Sequence, residues 1–210
     1  MNVEAASRVR EGQALPLMEA FYTIQGEGTY SGQPAYFIRL GGCDVGCVWC
    51  DVKDSWEAGK WPLVEIDQIV AEADAYPARL AVITGGEPLM YALGPLTRGL
   101  KEKGFTTNLE TSGAHPYSGD LDWICLSPKK FKSPVPEIYT IANELKVIVY
   151  NKSDFDFARS EARKVAPSCK LLLQPEWSKA EQMMPQIVDF VKENPRWRIS
   201  LQTHKYMEIP

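Results

Sequence analysis

From residue 80 onward, short apolar runs alternate with stretches whose apolar residues recur at helical spacing, and this alternation constrains the fold more than any single motif. Strands are expected at 80–84, 105–109, 121–126, 144–150, 170–173 and 198–202. Helices are expected at 89–103, 153–166 and 180–193. In the first of these, Leu89, Leu93, Leu96 and Leu100 share one face and Gly104 supplies a stop. In the last, Pro185 is expected to kink or restart the helix. Upstream, residues 1–15 read as a loose lead and 17–24 as a strand closed by Gln25-Gly26-Glu27-Gly28. Residues 35–40 read as a second strand and 63–76 as a helix, with apolar residues at 63, 66, 69, 70 and 73.

Strands that alternate with helices imply a parallel sheet, whose faces must be covered or closed on themselves. About six such units in 210 residues are too few for an eight-fold barrel of about 250 residues. The expected fold is therefore α/β: a partial, open TIM-like barrel of about six parallel β/α units with an N-terminal strand extension, one domain over 1–210. Five unusual elements follow the C-terminal ends of expected strands. They are the loop 41–51, Gly85-Gly86-Glu87, Glu110-Thr111-Ser112-Gly113, Ser127-Pro128-Lys129 and Gln174-Pro175. In a parallel α/β fold this is the rim where active sites form.

The first of these elements holds three of the five cysteines, Cys43, Cys47 and Cys50, spaced C-x3-C-x2-C. Composition decides how to read them. A formal net charge of -4 gives no footprint for nucleic acid. No secretory leader and no apolar run of membrane-spanning length is visible. A cytoplasmic setting follows, and there clustered cysteines bind metal rather than form disulfides. A structural zinc site is one reading, but it calls for a second ligand pair. Cys125 and Cys169 lie in or beside apolar segments and read as small core hydrophobes. A [4Fe-4S] cluster held by three thiolates, with one iron open to a small molecule, is the favoured reading. The turn Gly85-Gly86-Glu87-Pro88 reads either as a plain strand-to-helix turn or as a close backbone approach to a ligand. In the second case Glu87 is a candidate to hold an ammonium group.

The cysteine spacing, Trp49 before the last cysteine and the Gly-Gly-Glu-Pro turn resemble the radical S-adenosylmethionine superfamily. Within it the chain resembles the 7-carboxy-7-deazaguanine synthase family of queuosine biosynthesis. That likeness rests on residues 21–28, Phe37-Ile38-Arg39-Leu40, Cys50-Asp51, 84–88, Ser127-Pro128-Lys129, Glu144-Leu145-Lys146, Leu173-Gln174-Pro175 and the ending 202–210. The resemblance implies a lyase that converts 6-carboxy-5,6,7,8-tetrahydropterin to 7-carboxy-7-deazaguanine and ammonia. The step is a ring contraction begun by a 5'-deoxyadenosyl radical, with S-adenosylmethionine bound to a [4Fe-4S] cluster and regenerated.

By position, the resemblance implies that Cys43, Cys47 and Cys50 hold the cluster and are the catalytic and metal-binding residues. Trp49, Cys50, Asp51, Gly85, Gly86, Glu87, Ser127, Pro128, Lys129, Gln174, Pro175, Glu176 and Trp177 would bind S-adenosylmethionine. Ile24, Gln25, Gly26, Glu27, Arg39, Thr84 and Pro210 would bind the pterin. Arg39 suits the substrate carboxylate, its planar fork matching a carboxylate's geometry, or else it is a surface arginine. The terminal carboxylate at Pro210 suits the guanidine-like edge of a pterin. A flavodoxin-like or ferredoxin-like one-electron reductant and a homodimer are also implied. One departure stands out: Val52 occupies the place where the family often has a Thr or Ser ligand to Mg²⁺. Weak or absent Mg²⁺ dependence is therefore expected, with Lys53 or Arg39 offsetting the substrate's charge.

Two other readings remain at this point. A glycyl-radical activating enzyme shares the cysteine spacing but needs neither Gln25-Gly26-Glu27-Gly28 nor the Pro210 carboxylate. A zinc-binding interaction module belongs to a different class. His115 is expected to be solvated and His204 to support the C-terminal tail. Trp56 and Trp61 are expected to pack or to form an interface.

Overall fold

The computed structural model describes residues 3–210. The elements are, in order, α1 (Val3–Arg10), β1 (Ala14–Ile24), β2 (Pro34–Leu40), β3 (Leu63–Glu65), α2 (Ile66–Asp74), β4 (Leu80–Gly85), α3 (Gly94–Glu102), β5 (Thr106–Thr111), β6 (Trp123–Leu126), α4 (Pro136–Ile141), β7 (Glu144–Val149), α5 (Ser153–Ala162), β8 (Lys170–Pro175), α6 (Ala180–Glu193), β9 (Trp197–Ile199) and α7 (Thr203–Met207). The strands form one sheet ordered β3-β1-β2-β4-β5-β6-β7-β8-β9. From β2 to β9 every neighbouring pair is parallel, while β1 joins β2 and β3 antiparallel. The fold is thus an open, partial TIM-like barrel with an antiparallel N-terminal extension.

The two faces of this sheet differ in chemistry, and that difference positions the site. Side chains alternate across a strand. Tyr36, Ile38 and Leu40 on β2, Ala81 and Ile83 on β4, and Leu145 and Val147 on β7 belong to one large apolar cluster. They pack there with Ile69 of α2, Leu96 and Leu100 of α3, and Ile187 of α6. The intervening residues of the same strands face the other way. Arg39 and Thr84 are register partners there, and Glu144, Lys146 and Ile148 occupy alternate positions on β7. In a parallel sheet buried on both sides, such polar residues mark the face that a site uses.

Several local expectations shift. Residues 3–10 form α1 rather than a loose lead, and Arg8 pairs with Glu65 of β3. The expected helix 63–76 gives up its first three residues to β3, which pairs with Ala14–Pro16 and needs Val64 extended. The expected helix 89–103 starts only at Gly94. Pro88–Met90 form a separate 3₁₀ turn, and Pro95 favours a fresh start because a helix N-terminus needs no amide donor there. Pro185 does not restart the helix, since α6 runs unbroken over Ala180–Glu193. Its missing amide falls in the second turn, where one hydrogen bond is lost. Among the described residues, no helix is long and apolar enough to cross a membrane.

Candidate active site

The cysteine loop leaves β2 at Leu40 and is fastened on both sides. Gly42 N donates to Ser55 O at 2.5 Å and Cys43 N to Trp56 O at 3.1 Å, while Tyr91 Oη donates to Gly41 O at 2.6 Å. From β4, Gly86 N donates to Leu40 O and Glu87 N to Gly42 O, each at 2.9 Å. This backbone-to-backbone contact explains Gly86. A Cβ there would lie 2.1 Å from Gly42 O and 2.8 Å from Cys43 Cβ, so any side chain would push the cysteine loop off the rim.

Behind the loop is a cavity of about 220 Å³. Cys43, Cys47 and Cys50 line one wall, with Trp49, Asp51, Ser55 and Trp56 beside them. Thr84, Gly85, Gly86, Glu87, Glu110, Thr111, Ser112, Ser127 and Lys129 line it from the ends of β4, β5 and β6 and the turns after them. Ile148, Gln174, Pro175, Glu176 and Trp177 line it from β7, β8 and the turn after β8, and Glu27, Lys146 and Gln202 complete the lining. All five cysteines are free thiols. Burial pushes the Cys43 and Cys47 thiols up, against backbone hydrogen bonds at Cys43 and the Lys129 charge at Cys47.

The cavity holds a charged network. Lys146 Nζ lies 2.5 Å from Glu27 Oε2 and 3.0 Å from Glu110 Oε2, and its side chain is only 5% exposed. Burial alone would lower the Lys146 pKa, but the Glu110 and Glu27 charges outweigh it and hold it well above the usual lysine value. The two carboxylates diverge. Burial pushes Glu27 up, but the Lys146 charge and hydrogen bonds from Lys146, Gln202 and Gln174 overcome it and hold Glu27 at about 2. At Glu110 burial prevails, helped by the neighbouring carboxylates, and the pKa is raised. Two acids near one cation therefore have opposite tendencies, an arrangement suited to separate roles.

The residues singled out from sequence fall into two groups. The thiols, Trp49, Asp51, Gly85, Gly86, Glu87, Ser127, Lys129, Gln174, Pro175, Glu176, Trp177, Glu27 and Thr84 all line the cavity. Ile24, Gln25, Gly26, Arg39 and Pro210 do not, and Pro128 lines an adjoining groove instead. Arg39 Nε lies 2.6 Å from Glu19 Oε1, its cross-strand partner, and the guanidinium sits over the Phe21 ring. Buried Gln25 accepts a hydrogen bond from Glu27 N at 3.0 Å, and His204 packs over Gly26. Pro210 O accepts from Thr23 Oγ1 at 3.2 Å.

Glu87, a candidate to hold a ligand ammonium, is engaged on both oxygens in this structure. Its Oε1 accepts from Leu89 N and Thr111 Oγ1, and its Oε2 from Ser112 N and Ser112 Oγ. Four donors fill a carboxylate, so Glu87 joins the β4 turn to the β5 turn. His115 is not simply solvated, since its Nε2 lies 2.9 Å from Asp44 Oδ1 inside the cysteine loop. His204 sits in α7, beneath the C-terminal tail, with Ile209 N donating to its carbonyl. Trp56 lines the cavity, whereas Trp61 packs on Gly41. Cys169 lies in the apolar core, but Cys125 faces the polar interior, where burial and the Glu110 charge raise its thiol well above the usual value. Glu110, Lys146, Ser55 and Gln202 also line the cavity, beyond the site candidates drawn from the sequence. The available signal was Glu144-x-Lys146, charges at alternate positions of an otherwise apolar strand.

A family model described as the Radical SAM superfamily matches residues 37–127. The 7-carboxy-7-deazaguanine synthase of Flavobacterium psychrophilum is 58% identical over 210 residues, covering all of both chains. The chain belongs to the 7-carboxy-7-deazaguanine synthase family. The relative of that name from Synechocystis sp. is 48% identical, covering 92% of this chain and 93% of the relative. The crystal structure of QueE from Escherichia coli is similar with a TM-score of 0.82 and 30% identity, over 96% of this chain and 99% of that one. Membership makes the chain a radical S-adenosylmethionine enzyme and implies a [4Fe-4S] cluster together with that cofactor.

The residues present fit the cluster. Among the described residues, no three His, Cys, Asp or Glu side chains converge closely enough to hold a single metal ion. Three thiols nonetheless line one cavity wall and interact electrostatically with one another. Thiols set apart around a wall suit a polynuclear centre, in which each binds a different iron, better than one tetrahedral zinc.

Proposed function

We propose that this chain converts 6-carboxy-5,6,7,8-tetrahydropterin to 7-carboxy-7-deazaguanine with release of ammonia, in queuosine biosynthesis. The observation that carries this reading is the single cavity that joins the three thiols to the Glu27–Lys146–Glu110 network. A bound [4Fe-4S] cluster with S-adenosylmethionine would supply a 5'-deoxyadenosyl radical for hydrogen abstraction.

The chain's own residues divide the work. Cys43, Cys47 and Cys50 are the cluster ligands, and Gly86 lets the rim backbone approach them. Trp49, Asp51, the Ser127-Pro128-Lys129 turn and the Gln174–Trp177 segment hold the cofactor. Lys129 Nζ donates to Ser127 O at 2.6 Å and to Ser127 Oγ at 2.7 Å, and lies over the Trp49 ring, so the turn and the loop are held together. Ser200 Oγ donates to Gln174 Oε1 at 2.7 Å, which orients that amide.

On the substrate side, Glu27 remains a carboxylate, Thr84 offers a hydroxyl and Glu110 offers a second carboxyl group whose pKa burial raises. Ile24, Gln25, Gly26, Arg39 and Pro210, from the end of β1 and the loop after it, from β2 and from the tail, contact the pterin. Mg²⁺ dependence is weak or absent, because Val52 offers no side-chain oxygen where the family often has a Thr or Ser ligand. The enzyme works as a homodimer in the cytoplasm and receives electrons from a flavodoxin-like or ferredoxin-like donor.

The test is anaerobic incubation of the reconstituted protein with the carboxytetrahydropterin, S-adenosylmethionine and dithionite, with product read by mass. Formation of 7-carboxy-7-deazaguanine without net loss of S-adenosylmethionine is expected. Cofactor cleavage with no deazaguanine product would assign the chain a different substrate.

A further inference from the structure

Residues 44–49, between the first and last of the three thiols, have little backbone support. Val45 and Cys47 are buried. Yet among the described residues no backbone hydrogen bond joins 44–49 to any other part of the chain. The one that the segment takes part in, Cys50 N to Cys47 O at 3.1 Å, closes a turn within the loop itself. Segments with so few fixed backbone groups open readily.

Side chains supply the missing hold. Asp44 gives each carboxylate oxygen to a different element. Its Oδ1 lies 2.9 Å from His115 Nε2, in the loop after β5, and its Oδ2 lies 2.6 Å from Lys132 Nζ, in the loop after β6. Those two loops are joined to each other, Val135 N donating to Gly113 O at 2.8 Å. Lys129, which lies over the Trp49 ring, belongs to the same turn as Lys132. Lys132 N donates to Lys129 O, and the two residues form an isolated antiparallel bridge. One turn thus grips the cysteine loop at residues 44 and 49, on either side of Cys47. Asp44, His115 and Lys132 do not line the cavity, so they are not placed to touch substrate or cofactor.

We propose that Asp44, His115 and Lys132 are positioning residues for the iron–sulfur cluster, a clamp that keeps Cys47 in place beside Cys43 and Cys50. This role rests on the functional reading above, in which the three thiols are the cluster ligands. A thiolate holds its iron only while the loop is closed, so opening of the loop exposes the iron to competing ligands. Groups behind metal ligands fix ligand orientation in this way. All three clamp side chains are partly exposed, and contacts between such charges are individually weak. The clamp therefore governs how fast the cluster is lost rather than whether the chain folds.

The test is anaerobic release of iron from the reconstituted holoenzyme to a ferrous chelator, followed by absorbance, with urea unfolding of the same samples. Lys132→Met and His115→Ala should each lose iron about fivefold faster than the wild type, and Asp44→Ala, which lacks both contacts, about tenfold faster. His115→Gln, which keeps a donor, should stay near the wild type. Exchange of the charges, Asp44→Lys with Lys132→Asp, should recover most of the slow release. The urea midpoint should not move in any variant. Wild-type release in Asp44→Ala, or release from the exchanged pair as fast as from the single variants, would overturn the clamp and leave the functional reading intact. Faster release that tracks a fall in the urea midpoint would assign the three residues to the stability of the fold and equally overturn it. A wild type that takes up zinc but no iron would remove the functional reading, and the clamp with it.

Discussion

Lys146 Nζ lies 2.5 Å from Glu27 Oε2, an ion pair across 119 residues that ties the loop after β1 to the inner face of β7. Glu110 Oε2 lies 3.0 Å away, so buried Lys146 pairs with two partly exposed carboxylates. Lys146→Met should destabilise the fold by about 1–3 kcal/mol, because removing the cation leaves two carboxylates together in the cavity wall without their partner. Urea unfolding checks this, and adding Glu27→Gln should recover part of the loss through coupling of the two sites.

The same pair sets an acid limit. The Glu27 pKa falls from 4.5 to about 2 on folding, so its stabilisation is complete above pH 4.5 and is lost as pH falls toward 2. That shift corresponds to about 3 kcal/mol. Urea midpoints measured from pH 5 down to pH 2 should drop steeply in the wild type and less steeply in Glu27→Gln.

Gly86→Ala should reduce cluster loading and S-adenosylmethionine affinity together, the latter by tenfold or more, about 1.4 kcal/mol. The added methyl meets backbone Gly42 O and Cys43 Cβ, neither of which is a flexible side-chain end. Iron content and cofactor binding by calorimetry check this. Gly59, whose added Cβ meets nothing within 4 Å, provides a control as Gly59→Ala, which should load normally.

Activity should survive exhaustive chelation and gain less than twofold from added Mg²⁺, because Val52 removes a ligand oxygen. Val52→Thr should introduce a saturable Mg²⁺ stimulation. Steady-state assays with and without chelator decide both points, and a large stimulation of the wild type would remove the idea.

The sequence by itself determined the alternation of strands and helices, the rim on which the unusual residues gather, and the three thiols. These are local properties: residue period, turn chemistry and spacing along one loop. Local signals also misled. Pro185 looked like a breaker, yet its missing amide lies near the start of α6. His115 looked like a solvated ring. Only the tertiary structure brought Thr111 and Ser112 to Glu87, Asp44 to His115, and Glu27, Glu110 and Lys146 into one network. Each of these contacts joins strands or loops distant in sequence. Whether a charge is exposed, saturated or poised depends on which neighbours the sheet order supplies, and spacing along the chain carries no record of that.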